Sequence, residues 1–519
     1  MHSTRRSFLQ TTAAVAAGSA LDLSFLNPLF AAAKDATVRP DLVQFGPEMD
    51  PLLRLFRKTP PERIVEVFVK ELRGGLSYSR FVSTIFLAAV QTGDLHQMAQ
   101  VFGAHRIGSE ARIGERLLPL FWALSRVRHS HEKLEREIVV RPLRGAIPRA
   151  SEADAAFGRA MLAFDGDGVE RSAVALARAR GARHAMRRLW EFSARDLGGS
   201  LGHLPIGVAS SWRTLDAVGW KHAEGPLRYL AREIGRFDGD ASYPGNLERV
   251  RKTVPSLAAD WAADGPQRDV TLELYGLLRA GDSKAACDFM AKTLAEKRAR
   301  AGALWDAVSL AAADHLFRYE IGGGEIGGAE IHIVTCTNAL RFGFDLVEDS
   351  STRLLMLLQG AGEICDFFFT RATESNKLRN KNLVEDLRAR EGNASLDGVF
   401  SILPVKDDHY EQRDPSERLA SDRASELAFQ CSQDVDGREA FVSRARGLVC
   451  RKASADPHDL KFPAAIFEDA ERVSAEWRPY LLAASVHALH GEQSADQPAF
   501  TKARAALKPA VTKEEPRRS

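Results

Sequence analysis

Along most of this chain, apolar residues return at every third or fourth position, and runs that alternate apolar with polar are scarce. That period matches the 3.6-residue turn of a helix and not the two-residue repeat of a strand. Runs rich in Ala, Leu, Arg and Glu carry the pattern from end to end, which predicts an all-α fold. The absence of a clean repeat of fixed period argues against a stacked-repeat solenoid. The expected architecture is a single large multi-helix domain over residues 34–505.

Several helices can be placed. Leu117–Val127 (LLPLFWALSRV) predicts a buried helix, and Leu354–Phe369 predicts another. Ser211–His222 sets Trp212, Leu215, Val218 and His222 on one helical face. Gly225 and Pro226 then interrupt the pattern before Leu227, Leu230 and Ile234 resume it. Ser474 is the expected cap of a helix carrying Trp477, Leu481, Ala484 and Ala488. Asp238–Pro255 is expected to be a surface loop, and Gly322–Gly328 a flexible bend. The bend lacks the G-K-[ST] of a phosphate loop.

The N-terminus has a different character. Arg5-Arg6-Ser7-Phe8-Leu9 precedes a short apolar run, Ala13–Leu21, and then Ala31-Ala32-Ala33. This is the pattern of a twin-arginine export signal over residues 1–33. The expectation is a chain handed to the twin-arginine translocase and released to the periplasm or the extracellular side. Clients of that route fold before export, which raises the expectation of a bound metal or cofactor. The tail at 506–519 is expected to be disordered.

Charge excludes some functions. The 71 basic and 69 acidic side chains nearly cancel, so a nucleic-acid surface is not indicated. Beyond the N-terminus no apolar run is long enough to insert stably in a membrane. The five cysteines are widely spaced and form no C-x-x-C, which speaks against a sulfur zinc site or covalent haem. Most are read as small apolar core residues.

Four of the 14 histidines sit in apolar or glycine-bearing helical surroundings. His96 follows the apolar segment Phe81–Val90. His203 enters a helix from a glycine-rich approach, Gly198–Gly202. His332 shares a helical face with Thr335, Cys336 and Ala339. His458 stands with Asp459 and Lys461 at the start of a helix whose first turns tolerate Pro463. Singly, such histidines are most often satisfied core residues. Together, neutral imidazoles converging from separate helices would suit iron, zinc or copper. Lys461, ordinarily a cation, would need to be neutralised by burial or carbamylated to take part, and a first-turn surface lysine is its plainer reading. Asp459 is the candidate acceptor to orient a neighbouring imidazole. Trp212, Trp220 and Phe342 are candidates to line an aromatic pocket, with ordinary core packing as the alternative.

At these same residues the chain resembles the questin oxidase family. The similar blocks are Gly202-His203-Leu204-Pro205-Ile206 with Ser211–Leu215 and Gly219–Glu224, then His332–Leu340 (H-x-V-T-x-x-x-A-L), then His458-Asp459-Leu460-Lys461-Phe462 and the helix after Val473. The resemblance implies an α-helical oxidoreductase using dioxygen on an aromatic, quinone-like or polyketide-like small molecule. It implies non-haem iron held by His203, His332, His458 and, in a less well matched block, His96. Lys461 is carried over with them, and NADPH remains a candidate reductant. Two other readings stay open: a non-catalytic exported helical scaffold, and a zinc hydrolase using the same histidines.

Overall fold

The computed structural model describes residues 49–507, apart from 135–142, 144, 196, 198–199, 237–242, 244, 320–328, 374–379, 381, 389–393, 406–414 and 454–455. The export signal, the glycine bend and the tail after Leu507 lie outside the described residues. The described residues form 22 α-helices and no strand, so the chain is all-α. Their buried apolar side chains make one contiguous cluster running from Met49 to Leu507. None of these helices is long and apolar enough to cross a membrane.

Four helices position the site: α1 (Leu95–Ser109), α2 (His203–Val218), α3 (Ala329–Leu346) and α4 (His458–Arg472). Helix α1 packs against α2 and α4, and α3 packs against the same two, which closes a ring of four. All are buried well beyond a single stripe. Phe102 on α1, Trp212 on α2, Leu340 on α3 and Phe467 on α4 are each under one-tenth exposed. Helices without a solvated face belong inside a larger bundle, and the remaining helices supply that jacket.

Two glycines set how tightly the ring closes. A β-carbon on Gly103 of α1 would stand 2.5 Å from the Leu460 carbonyl oxygen and 2.9 Å from the Lys461 amide nitrogen, so α1 meets the first turn of α4 backbone to backbone. A β-carbon on Gly202 would stand 2.5 Å from Cys336 Sγ, and Gly202 also has φ +72°, a region glycine enters without strain.

Some local expectations need correction. Gly245–Thr253, inside the expected loop, is a helix held by Asn246 to Gln359. The helix over Ser211–His222 ends at Val218, where Gly219 turns with φ +105°, and His222 falls in a separate 3-10 turn. Gly225 and Pro226 do not precede the next helix but lie in the first turn of Glu224–Arg236, where proline is tolerated. Ser474 bonds Asp306 instead of capping, and the helix there begins at Arg478. Four of the five cysteines are buried, and none is in a disulfide.

Candidate metal centre

Each of the four histidines stands in the first turn of its own helix: His96 in α1, His203 in α2, His332 in α3 and His458 in α4. Because the four N-terminal ends meet, so do the rings. The His203 and His96 Nε2 atoms are 3.0 Å apart, and those of His332 and His458 are 2.8 Å apart. Ring centroids of His203 and His332 lie 4.4 Å apart, and those of His96 and His458 5.3 Å apart. His96, His332 and His458 each offer a ligand atom within 4.8 Å of the other two.

The far side of every ring is held by an oxygen. His96 Nδ1 lies 3.2 Å from Asp94 Oδ1, and His458 Nδ1 lies 2.5 Å from Asp456 Oδ1. His203 Nδ1 lies 2.5 Å from the Ser200 carbonyl, and His332 Nδ1 lies 3.4 Å from the Leu201 carbonyl. Carboxylates and carbonyls only accept, so each Nδ1 carries the hydrogen and donates it. A neutral imidazole has one N–H, which leaves Nε2 of every ring as a bare lone pair. The arrangement therefore sets lone pair against lone pair at 2.8 and 3.0 Å. Only a cation or an added proton between them removes that repulsion.

An added proton is disfavoured on His203, His332 and His458. Burial, reinforced by the neighbouring basic groups, pushes His203 down to about 3 and His332 well below the usual imidazole range. His458 is pushed down to about 4, chiefly by burial and the charge of Lys461, against the pull of Asp456.

Local sequence explains this geometry. Asp94 caps α1 through the His96 amide and also takes the His96 ring, so one carboxylate fixes backbone and side chain together. Asp456 repeats the device on the His458 amide and ring. Asp-x-His is the local signal by which these two carboxylates could have been found from sequence. Leu201, whose carbonyl faces His332, has φ +50°. A left-handed backbone at a non-glycine residue costs energy that packing must supply.

Lys461 follows His458 by one turn of α4 and is 4% exposed. Among the described residues its Nζ has no hydrogen-bond partner, and burial lowers the amine to about 7. It is a buried group, not a surface lysine. The Asp459 carboxylate lies 2.8 Å from Nε2 of another imidazole, His490. The carboxylates on the His96 and His458 rings are Asp94 and Asp456. Trp212 and Trp220 pack edge to face on each other, with Arg183 over the Trp220 ring, and Phe342 lies under Arg213.

Further along the ring is a second polar group that no sequence motif announces. Arg213 of α2 bonds Asn338 of α3 and Glu468 of α4, and Asn338 Nδ2 bonds Asp469 of α4 at 2.8 Å. The same guanidinium stacks on Phe102 of α1 at 5.0 Å. One side chain thus touches the other three helices from its own.

No family model matches the chain, and no curated protein and no solved structure matches it. The chemistry of the centre must be argued from its own atoms.

Proposed function

We propose that this chain is a metal-dependent oxidoreductase, binding non-haem iron through His96, His203, His332 and His458 and acting with dioxygen on a small aromatic molecule. The observation that carries the reading is the set of four inward lone pairs, each fixed by an Nδ1–H bond on the outer side of its ring. Rings oriented this way by carboxylates and carbonyls are the usual form of histidine ligation.

The pairs at 2.8 and 3.0 Å bring their nitrogens within reach of one ion. A bound iron would supply the electron chemistry with dioxygen. The chain's residues hold the ligand rings and bury His332 and Lys461, while access is left at His96, whose side chain is 29% exposed.

The blocks that resemble the questin oxidase family are the blocks that hold His203, His332 and His458, which supports an aromatic, quinone-like substrate. The twin-arginine pattern supports loading before export and action outside the cytoplasm.

The test is elemental analysis of purified protein. About one iron per chain is expected, lost in His332→Ala and restored by no other divalent ion at equal activity. Wild-type protein with only traces of metal, unchanged in His332→Ala, would remove the reading.

A further inference from the structure

We propose that Lys461 is the counter-charge for an ionised oxygen of the substrate, so that the site takes small acidic molecules, phenols or carboxylic acids, in preference to neutral carbonyls, ethers or amides. The proposal rests on the metal reading of the same site and names the substrate class for it.

Lys461 is the only lysine in the buried class among the described residues. The buried arginines Arg228 and Arg341 each have a carboxylate, from Glu170 and Asp264. Lys461 Nζ has no such partner among the described residues. An unpaired buried ammonium is costly, of the order of several kcal/mol. Methionine or leucine would fill the same volume without that cost. A side chain kept under such a penalty has a partner that arrives from outside.

The surroundings select the sign of that partner. The N-terminal ends of α1, α2, α3 and α4, helices of 15 to 18 residues, all point their partial positive charge at this place. The N-terminus of α2 has no side-chain cap to absorb its amides. The carboxylates closest in electrostatic effect, Asp456 and Asp94, already hold His458 and His96. Counting charges gives the same answer. Four neutral imidazoles, two carboxylates, a divalent ion and the ammonium sum to one positive charge. A single monoanion brings the buried site to neutrality.

The proton balance does not depend on how the amine starts. An ammonium pairs directly with a phenolate or carboxylate. A neutral amine takes the proton of the phenol or acid: the O–H bond breaks, an N–H bond forms, and the electron pair stays on oxygen. Both routes end in one ammonium–oxyanion pair, with nothing oxidised or reduced.

The experiment uses the full protein with its metal content measured first. The probes are 4-nitrophenol, whose colour reports its ionisation, and benzoate, with 4-nitroanisole and benzamide as neutral counterparts. Wild-type protein should bind the two acids at least tenfold more tightly than the neutral pair and hold nitrophenol in its coloured, ionised form. K461M, at unchanged metal content and with an unfolding temperature no lower than wild type, should lose at least tenfold in acid affinity, and K461R should recover part of it. Tighter nitrophenol than benzoate binding assigns phenols, and the reverse assigns carboxylic acids. Equal binding of acids and neutral probes overturns the proposal, and so does undiminished acid binding in K461M. If K461M does not fold, K461Q takes its place, and undiminished acid binding there overturns the proposal. A protein without metal would sink the proposed function and this proposal with it, whereas full metal content with undiminished acid binding in K461M would sink this proposal alone.

Discussion

The guanidinium carbon of Arg213 lies 4.0 Å from the centroid of the Phe342 ring. This contact joins α2 to α3 a few turns beyond the histidines, and the same side chain reaches Phe102 on α1, Asn338 on α3 and Glu468 on α4. Lysine cannot reproduce it, because the stack and the forked bonds need a planar group. Arg213→Met takes one cation from the half-buried Glu468 and leaves it Arg472 and Asn338. The expected cost is on the order of 3 kcal/mol. Thermal unfolding should show a lowered midpoint, with Arg213→Lys closer to Arg213→Met than to wild type. A midpoint unchanged in both variants would refute the role of Arg213 as the pin of the ring.

The backbone contact at Gly103 gives a second expectation. Alanine there must push α4 away from α1, because the obstacle at 2.5 Å is a carbonyl and not a flexible side chain. Overpacking of this kind costs about 1–3 kcal/mol. Gly103→Ala should also weaken metal retention, since the displaced turn carries His458. Gly276→Ala, where a β-carbon would meet open space, is the matched control and should be neutral or slightly stabilising.

Asp94 and Asp456 hold the outer nitrogens of the His96 and His458 rings. Removing such partners typically lowers metal affinity by about 10–100-fold. Asp456→Ala should fall in that range by competition with a chelator. Asp456→Asn should lose less, because its amide oxygen can still accept from His458 Nδ1. If both variants hold metal as tightly as wild type, the outer hydrogen bonds do not set ring orientation.

Asp469 supplies a pH dependence. Burial raises its carboxyl to about 7, offset only in part by Asn338 and the arginines nearby. The folded state therefore holds a proton that the unfolded chain releases near the ordinary carboxyl value. Between those limits stability falls as pH rises, by at most about 1.4 kcal/mol per unit, and the full cost is present only above the raised value. In Asp469→Asn that slope should vanish, so the variant gains on wild type from about pH 4 to pH 7 in denaturant titrations. Parallel curves across that range would contradict it.

The fold class was legible because helical periodicity is a local property. The four histidines were legible for a related reason: an imidazole inside an apolar or glycine-bearing stretch conflicts with its neighbours, and the conflict shows in one sequence. The Arg213 cluster was not. Arg213 and Glu468 are 255 residues apart, and each alone reads as an ordinary charged helix position. The misread loop at Asp238–Pro255 has a similar cause. Its glycine, proline and asparagine content favours turns, but buried Val250 and the Asn246–Gln359 bond hold Gly245–Thr253 as a helix.

The histidine pairs are separated along the chain by 107 and 126 residues. No fragment holds the set, so the centre comes into being only when distant quarters of the polypeptide have docked. Slow, nonlocal assembly of that kind trails the formation of individual helices. A spectroscopic signal from an ion seated there would then serve as a gauge of whole-molecule integrity, fading with the first disengagement of any one of four helices well before the helical content itself declines.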